Sequence, residues 1–418
     1  MATLLSVNSY FYRRDGSEAV FIEHNRLLAE CGWRVVPFAM HHPQNSASEW
    51  SEYFVSEMEF GQNYGLKEKL ARAPKVVYSL EARRNIARLI RAVRPDLAHC
   101  HSVYHHISPS ILSVLRQQSV PTVMTLHDLK LACPAYHMFN RGALCEQCAH
   151  GRTYNVLRHR CIKGSVTLSG LVWLESVVHG LLDSYAKNVD LFISPCRFYI
   201  DKLVEWGWPR HKFVHIPNFV DTRALQANTT PGRGFLYFGR LSPEKGLLKL
   251  VEAAARAGVP LRLAGSGPQD DALRRRAEEL GGDVEFTGHL RGDRLTDAIA
   301  AARATVLPAE WYENAPMSVL ESFALGKPVI GARIGGIPEL IEHGVTGWTF
   351  ASGSIDELAA TLRHVEGLPD RTLTEMGERA RRLVDEQFSE RAYLTRLGDT
   401  YSRLGVAIQP GARRGKGL

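Results

Sequence analysis

Short apolar runs alternate along the chain with longer stretches whose apolar positions recur at helical spacing. Leu4–Val7, Arg34–Phe38, Leu97–His99, Thr122–Leu126 and Leu191–Ser194 are brief and apolar on both faces, the pattern of strands covered on both sides of a parallel sheet. Glu18–Cys31 reads as a helix with Ala19, Phe21, Ile22, Leu27 and Leu28 as its apolar positions, and Leu80–Val93 as another, stopped by Pro95. The pattern starts afresh with a strand at Gly234–Gly239, a helix over Leu247–Ala257, a strand at Leu261–Ala264 and a helix over Asp270–Leu280. Strands at Val284–Thr287, Thr305–Leu307 and Pro328–Gly331 follow, with helices near 294–302 and 317–325, and two long helices (about 370–386 and 389–405) close the chain. Strand and helix in repeated alternation predict an α/β protein built from two doubly wound parallel sheets. Ligands bind such sheets beyond the carboxyl ends of the strands, so the loops after the strands are where chemistry is expected.

Composition narrows the class. A hydrophobic content of 45% and a charged content of 23% over 418 residues exclude wholesale disorder. Mean hydropathy is −0.17, no apolar run approaches the roughly 20 residues of a membrane span, and Thr3–Val7 is too short for a secretory signal; a cytoplasmic protein is expected. Residues 1–210 carry 24 basic and 18 acidic side chains, whereas the remainder carries 27 and 26. A basic first half suits an anionic partner, whether nucleic acid, an anionic membrane surface or a phosphorylated substrate, unless the charges merely solvate helix faces. The Gly- and Arg-rich tail Gln409–Leu418 is expected to fray.

Candidate chemistry concentrates in the second half. Arg240 and Lys245 place two cations in a strand-to-helix loop, near a helix N-terminus whose free N–H groups favour anions. In the run EWYENAPMSVLE, Pro316 suits the first helical turn and Asn314 its cap, which puts Glu313 before the helix and Glu321 within it. The glycines of Gly265-Ser-Gly267 permit close backbone approach to a ligand. No P-loop is present, and neither half opens with a GxGxxG turn, which argues against a simple nicotinamide dehydrogenase.

The runs GRLSPEKG, AGSGP, FTGHL, PAEWYENAPMSVLESFALGKPVI and IGGIPELI occur in this order across the second half. They resemble glycosyltransferase family four, the group 1 transferases of GT-B fold that use nucleotide sugars and retain anomeric configuration. The resemblance implies Rossmann-like domains over 1–210 and 211–385, the first on the acceptor side with a Cys-rich insert at 130–165, and a C-terminal helix at 386–408 crossing back to the first domain. It implies that Arg240 and Lys245 bind the donor diphosphate, that Glu313 lies against the transferred sugar, and that Glu321 takes the ribose hydroxyls. Backbone groups of Asn314, Ala315, Met317, Ser318 and Val319 would touch sugar and phosphate, and Gly265, Gly267, His289 and Leu290 would lie near the nucleoside. No catalytic metal is implied, because the two cations stand in its place.

The first half departs from the family in part. Where relatives carry a Gly-Gly loop, this chain has Arg14-Asp15-Gly16, leaving Gly16 as the one glycine to approach phosphate. His127 follows a strand and corresponds to the family's histidine near the reacting sugar. Cys133, Cys145, Cys148 and Cys161 have zinc-ribbon-like spacing, open to a structural zinc, an iron–sulfur cluster, four reduced thiols, or a redox pair at 145 and 148. Leu168–Leu182 is strongly apolar and reads as a core helix or a membrane-docking surface beside a basic insert.

The expected activity is transfer of a sugar from a nucleoside diphosphate to an acceptor hydroxyl, carbohydrate or lipid-linked, in cell-surface polysaccharide or glycolipid assembly. A sugar-nucleotide epimerase or phosphorylase on the same architecture, and a zinc-bearing nucleic-acid binder, are the alternatives.

Overall fold

The computed structural model describes residues 1–58 and 73–408; the tail Gln409–Leu418 lies outside them. Fourteen strands occur among the described residues. They are β1 Thr3–Val7, β2 Arg34–Phe38, β3 Leu97–Cys100, β4 Thr122–Thr125, β5 Phe139–Asn140, β6 Ala143–Leu144, β7 Leu191–Ser194, β8 Phe213–His215, β9 Phe235–Phe238, β10 Leu261–Ala264, β11 Val284–Gly288, β12 Ala304–Leu307, β13 Val329–Ala332 and β14 Gly347–Phe350. Two six-stranded sheets have the orders β2-β1-β3-β4-β7-β8 and β11-β10-β9-β12-β13-β14, with a two-stranded hairpin β5-β6 beside the first. Every pairing within the large sheets is parallel. The second order is that of a dinucleotide-binding sheet, in which the chain reverses direction between its first and fourth strands. The crevice at that reversal opens beyond β9 and β12.

Most expected elements form within a residue or two of their expected ends. Strand β14, the helix Ile355–Glu366 and the helices Ser110–Gln117 and Arg197–Glu205 complete the pattern. Strand β8 lies beyond residue 210 yet pairs with β7, so the first sheet continues past that point and the crossing to the second falls within 216–234. The closing helix Glu390–Ser402 returns to the first sheet. It buries Tyr393, Leu397 and Tyr401 against Leu4, Leu27, Leu97 and Ile193, while Glu390 pairs with Arg26.

The apolar helix Val166–Leu181 is buried along one face and open along another. Its buried positions include Glu175 and His179, whereas Leu174 and Leu181 are 45% and 84% exposed. The inward polar groups have partners. Glu175 meets Lys130 at 2.8 Å and His105 at 3.0 Å, and His179 bonds Ser184 and the carbonyl of Val77. Burial of charge is tolerated where it is paired in this way, and it leaves Leu174 and Leu181 facing solvent while Leu168 and Leu171 pack on the core.

Candidate active site

Strand β9 ends at Phe238, and the chain then runs through Arg240 into a single 3₁₀ turn, Pro243–Lys245. Gly246 follows at φ +70° and starts the helix Leu247–Ala257. A Cβ at Gly246 would stand 2.1 Å from the carbonyl oxygen of Pro308. Glycine there lets the loop after β9 lie directly on the loop after β12, and the Glu310 amide donates to the Glu244 carbonyl at 2.9 Å. The two loops that flank the reversal of the second sheet are thereby laced together.

That lacing brings Lys245 to Glu313. The ammonium lies 2.5 Å from Oε1 and 5.1 Å from the centre of the Trp311 ring, so the charge is held by a carboxylate and an aromatic face together. Glu313 is buried, and its backbone is gripped from behind. Gly336 N–H donates to the Glu313 carbonyl at 2.8 Å, and Gly335, at φ +57°, leaves room where a Cβ would meet Glu313 oxygen at 2.3 Å. Arg240 is exposed at the end of β9, close enough to His137 to bear on its charge. Among the described residues its guanidinium has no ion pair.

Glu321 sits one turn into the helix Met317–Ala324. Part of its surface is open, yet burial pushes its carboxyl up to about 7, with Arg13 of the first lobe acting in the opposite direction. The loop before Gly16 therefore faces this helix across the cleft. Gly16 itself is exposed and opens the helix Gly16–Glu30.

The expected roles of Pro316 and Asn314 are exchanged for others. Pro316 precedes the first helical residue, and no side chain caps that end. Asn314 instead donates from Nδ2 to the carbonyl of Leu126, at the end of β4, over 2.9 Å, and its Oδ1 is buried without a partner. A side chain that looked local in the sequence thus spans the two lobes. Asn218 supports the same segment by donating to the Ala315 carbonyl. Ala315 and Val319 are core side chains, so only their backbone is free for a ligand, whereas Met317 and Ser318 are half-buried at the helix end.

The glycines after β10 also serve the chain. A Cβ at Gly265 would lie 1.8 Å from the Gly239 carbonyl oxygen, and one at Gly267 2.3 Å from that of Leu241. Their small size admits the neighbouring loop 239–241 and fixes where Arg240 starts. His289 is exposed and accepts from Arg291 at 2.7 Å; half-buried Leu290 packs on a small apolar cluster.

Across the cleft, burial lowers His127 to about 4, so the ring is neutral near pH 7. Its Nε2 lies 2.8 Å from His101 Nδ1. His101 stacks on His99, and His99 is held by Tyr401 and Thr125, each at 2.7 Å. The closing helix thus underpins His127 from beneath the first sheet. Among the described residues His24, His99 and His101 are the one group with three possible ligand atoms within 4.8 Å. Tyr393, Tyr401, Thr125 and His127 engage these imidazoles, so a hydrogen-bond network accounts for them. Burial also raises the neighbouring Asp128 to about 6.

A cavity of about 670 Å³ lies between the lobes, lined by Gly142–Leu144 of the insert, Phe198, Glu310, Tyr312 and Gly335. It shares the 310–312 segment with the charged pair but is not lined by Arg240, Lys245 or Glu321. Trp311, Asn218 and His101 carry no motif of their own. Trp311 lies inside the run Glu310–Glu321, whereas Asn218 and His101 lie outside the motif runs of the second half.

Comparison with known proteins agrees with this arrangement. The family model described as Glycosyltransferase Family 4 matches residues 14–224, half of the chain, and that described as glycosyl transferases group 1 matches 223–383. A sulfoquinovosyl transferase of Arabidopsis thaliana is 34% identical over 167 residues, covering 39% of this chain and 32% of that protein. A lipopolysaccharide core biosynthesis glycosyltransferase of Rhizobium meliloti is 29% identical over 238 residues, 54% of this chain and 67% of the relative. Several curated relatives are matched over only 32% to 62% of their own length. The crystal structure of Anabaena HepE in complex with UDP and glucose superposes with a TM-score of 0.66 at 18% identity, covering 96% of this chain and all of that one; at that identity the likeness establishes the fold, which is GT-B. Matched along both lobes, the chain belongs to Glycosyltransferase Family 4.

Proposed function

We propose that this protein is a retaining glycosyltransferase that moves a sugar from a nucleoside diphosphate to an acceptor hydroxyl, in the assembly of a cell-surface polysaccharide or glycolipid. The observation that carries the reading is the Lys245–Glu313 contact at the reversal of the second sheet, with Arg240 on the same loop. A pyrophosphate laid there meets Arg240, Lys245 and the free N–H groups at the start of the helix Met317–Ala324. Glu313, alongside, faces the hexose hydroxyls, and Glu321 the ribose. Gly265, Gly267, His289 and Leu290 line the nucleoside side through backbone and edge contacts.

In the transfer, the bond from the anomeric carbon to the phosphate oxygen breaks, and its electron pair stays on the phosphate. The acceptor oxygen bonds to the same carbon from the same face, and its proton passes to the leaving phosphate oxygen. Arg240 and Lys245 stabilise the charge that develops there, the role a divalent ion fills elsewhere. Neutral His127 offers a hydrogen bond to the sugar without competing for the phosphate as a cation would.

Melting curves with UDP, GDP and their sugars provide the first test. A true donor at a hundred times its Kd stabilises the chain by about 2.7 kcal/mol, and label then passes to an acceptor. Stabilisation by none of them, or interconversion of sugar epimers in place of transfer, overturns the reading. For the acceptor side, we infer an anionic lipid surface: Leu174, Leu181 and Leu182 are exposed on and just after a helix whose preceding segment carries Arg152, Arg158, Arg160 and Lys163. Sedimentation with anionic but not zwitterionic vesicles is expected; equal recovery with both removes the lipid surface from the proposal.

A further inference from the structure

The segment after His127 is the least regular part of the described molecule. Between residues 133 and 163 the regular structure amounts to the two-residue strands β5 and β6, one 3₁₀ turn and a four-residue helix, Asn155–Arg158. Of ten non-glycine residues at positive φ among those described, six lie here: Tyr136, Met138, Arg141, His150, Arg160 and Lys163. Left-handed backbone at such residues is unfavourable and persists only where surroundings over-determine it. Hydrogen bonds of regular structure do not supply that constraint here.

The side chains do. Cys133, Cys145, Cys148 and Cys161 are all reduced and line a single small hollow inside the insert. The backbone N–H groups of Ala135 and Met138 lie near the Cys133 sulfur, and that of Val156 near Cys148, although burial, the larger influence, pushes both thiols up. His159 lines the same hollow, and its Nε2 is buried with no partner. Residues 130–165 hold six Lys and Arg against one Glu, with Arg141 and Lys130 near enough to act on Cys161 and Cys133. A cationic segment wrapped around four sulfurs, with an imidazole nitrogen lacking a partner, can offset negative charge placed at its centre.

We propose that Cys133, Cys145, Cys148 and Cys161 bind one zinc ion as thiolates, and that the ion locks the knuckle carrying Glu146 against the opposite lobe. Binding releases four thiol protons to solvent and leaves a cluster of charge −2, which the surrounding cations, the amide donors and His159 offset. No three of the sulfurs lie within 4.8 Å of one another, whereas tetrahedral zinc with bonds of about 2.3 Å sets them roughly 3.8 Å apart; the ion draws the insert inward. Zinc is the fit because four soft sulfur donors complete its tetrahedron and leave no open position. Glu146 stands inside the Cys-x-x-Cys knuckle. Its Oε1 accepts from Tyr312 at 2.7 Å and pairs with Lys202 at 2.9 Å. His137 packs on Trp311, beneath Lys245, so ordering the knuckle steadies the segment that carries Glu313. The metal assignment stands by itself; the link to donor binding rests on the proposed transferase activity.

The full-length chain, purified under reducing conditions without added metal, is expected to contain one zinc per chain. Its four insert thiols resist alkylation until zinc is extracted with a chromogenic chelator. The double variant Cys145→Ser/Cys148→Ser loses the zinc. Should that variant fail to fold, the wild-type metal content and thiol protection still decide the question. Less than a tenth of an equivalent of metal with freely reacting thiols, iron with sulfide and visible absorbance, or full zinc in the double variant each overturn the site. For the clasp, Glu146→Gln keeps its zinc and binds UDP or GDP three- to tenfold more weakly than wild type; unchanged affinity overturns it. If the wild type binds neither nucleotide, the transferase reading fails while the zinc result remains intact.

Discussion

The two walls that meet near Trp311 are built on opposite principles. On the second lobe, the loops after β9 and β12 are short and lie directly on one another, through Gly246 against Pro308 and the Glu310 amide against Glu244. Their accuracy is inherited from the parallel strands beneath them. On the first lobe, the loop after β4 runs through the Cys-rich insert before the helix Val166–Leu181 begins. It cannot inherit order from a sheet it has left behind, and it is organised around a cluster of cysteines instead. Short loops at a sheet reversal can be aligned by the framework alone, whereas a long excursion must carry its own cross-link.

The contrast can be broken at its strongest point first. Arg240 is exposed and unpaired among the described residues, so Arg240→Ala is expected to lower transfer on the order of 10²–10³-fold while leaving the melting temperature within a degree or so. Near-normal turnover would detach the loop after β9 from the chemistry. Gly246→Ala tests whether that wall depends on backbone contact. Positive φ alone costs about 1 kcal/mol, and the Cβ would meet the Pro308 carbonyl oxygen at 2.1 Å. Both lowered stability and at least tenfold weaker nucleotide binding are expected, and normal binding would show that the two loops need not touch.

The smallest effect concerns Glu321, raised from an ordinary value of 4.5 to about 7. Between those values the folded chain retains a proton that the unfolded chain releases, so this site's contribution to stability falls as pH rises from about 4.5 to 7. Glu321→Gln removes the penalty. Its melting temperature should exceed that of wild type by a few degrees at pH 8 and match it below pH 4.5, while nucleotide affinity drops. Equal melting at pH 8 would mean that the carboxylate is already accommodated without a donor.

What could be read in the chain and what could not follow from the range of the interactions. Both sheets, the closing helices and the positions of Lys245 and Glu313 after their strands were legible, because buried strands declare themselves as apolar runs and ligand-facing loops follow them. Gly265 and Gly267 are positions of close approach, and one approaching group is the backbone at 239–241, which no local pattern names. Asn314 has a capping residue's local chemistry and does a bridging residue's work, because the Leu126 carbonyl lies 188 positions away in sequence. Nothing in Val166–Leu181 announced that Glu175 and His179 would face inward, since Lys130 and His105, which meet Glu175, come from outside the helix.

The amino-acid order by itself determined a pair of doubly wound sheets, the placement of cations and carboxylates after particular strands, and four thiols at ribbon-like spacing. These depend on periodicity and on neighbours a few residues apart. Only the tertiary structure decided that Lys245 meets Glu313, that His127 rests on imidazoles braced by the closing helix, and that Glu146 reaches Tyr312. Each of those contacts joins segments from 68 to about 300 residues apart, and distance along the chain carries no local signal of which partner packing will supply.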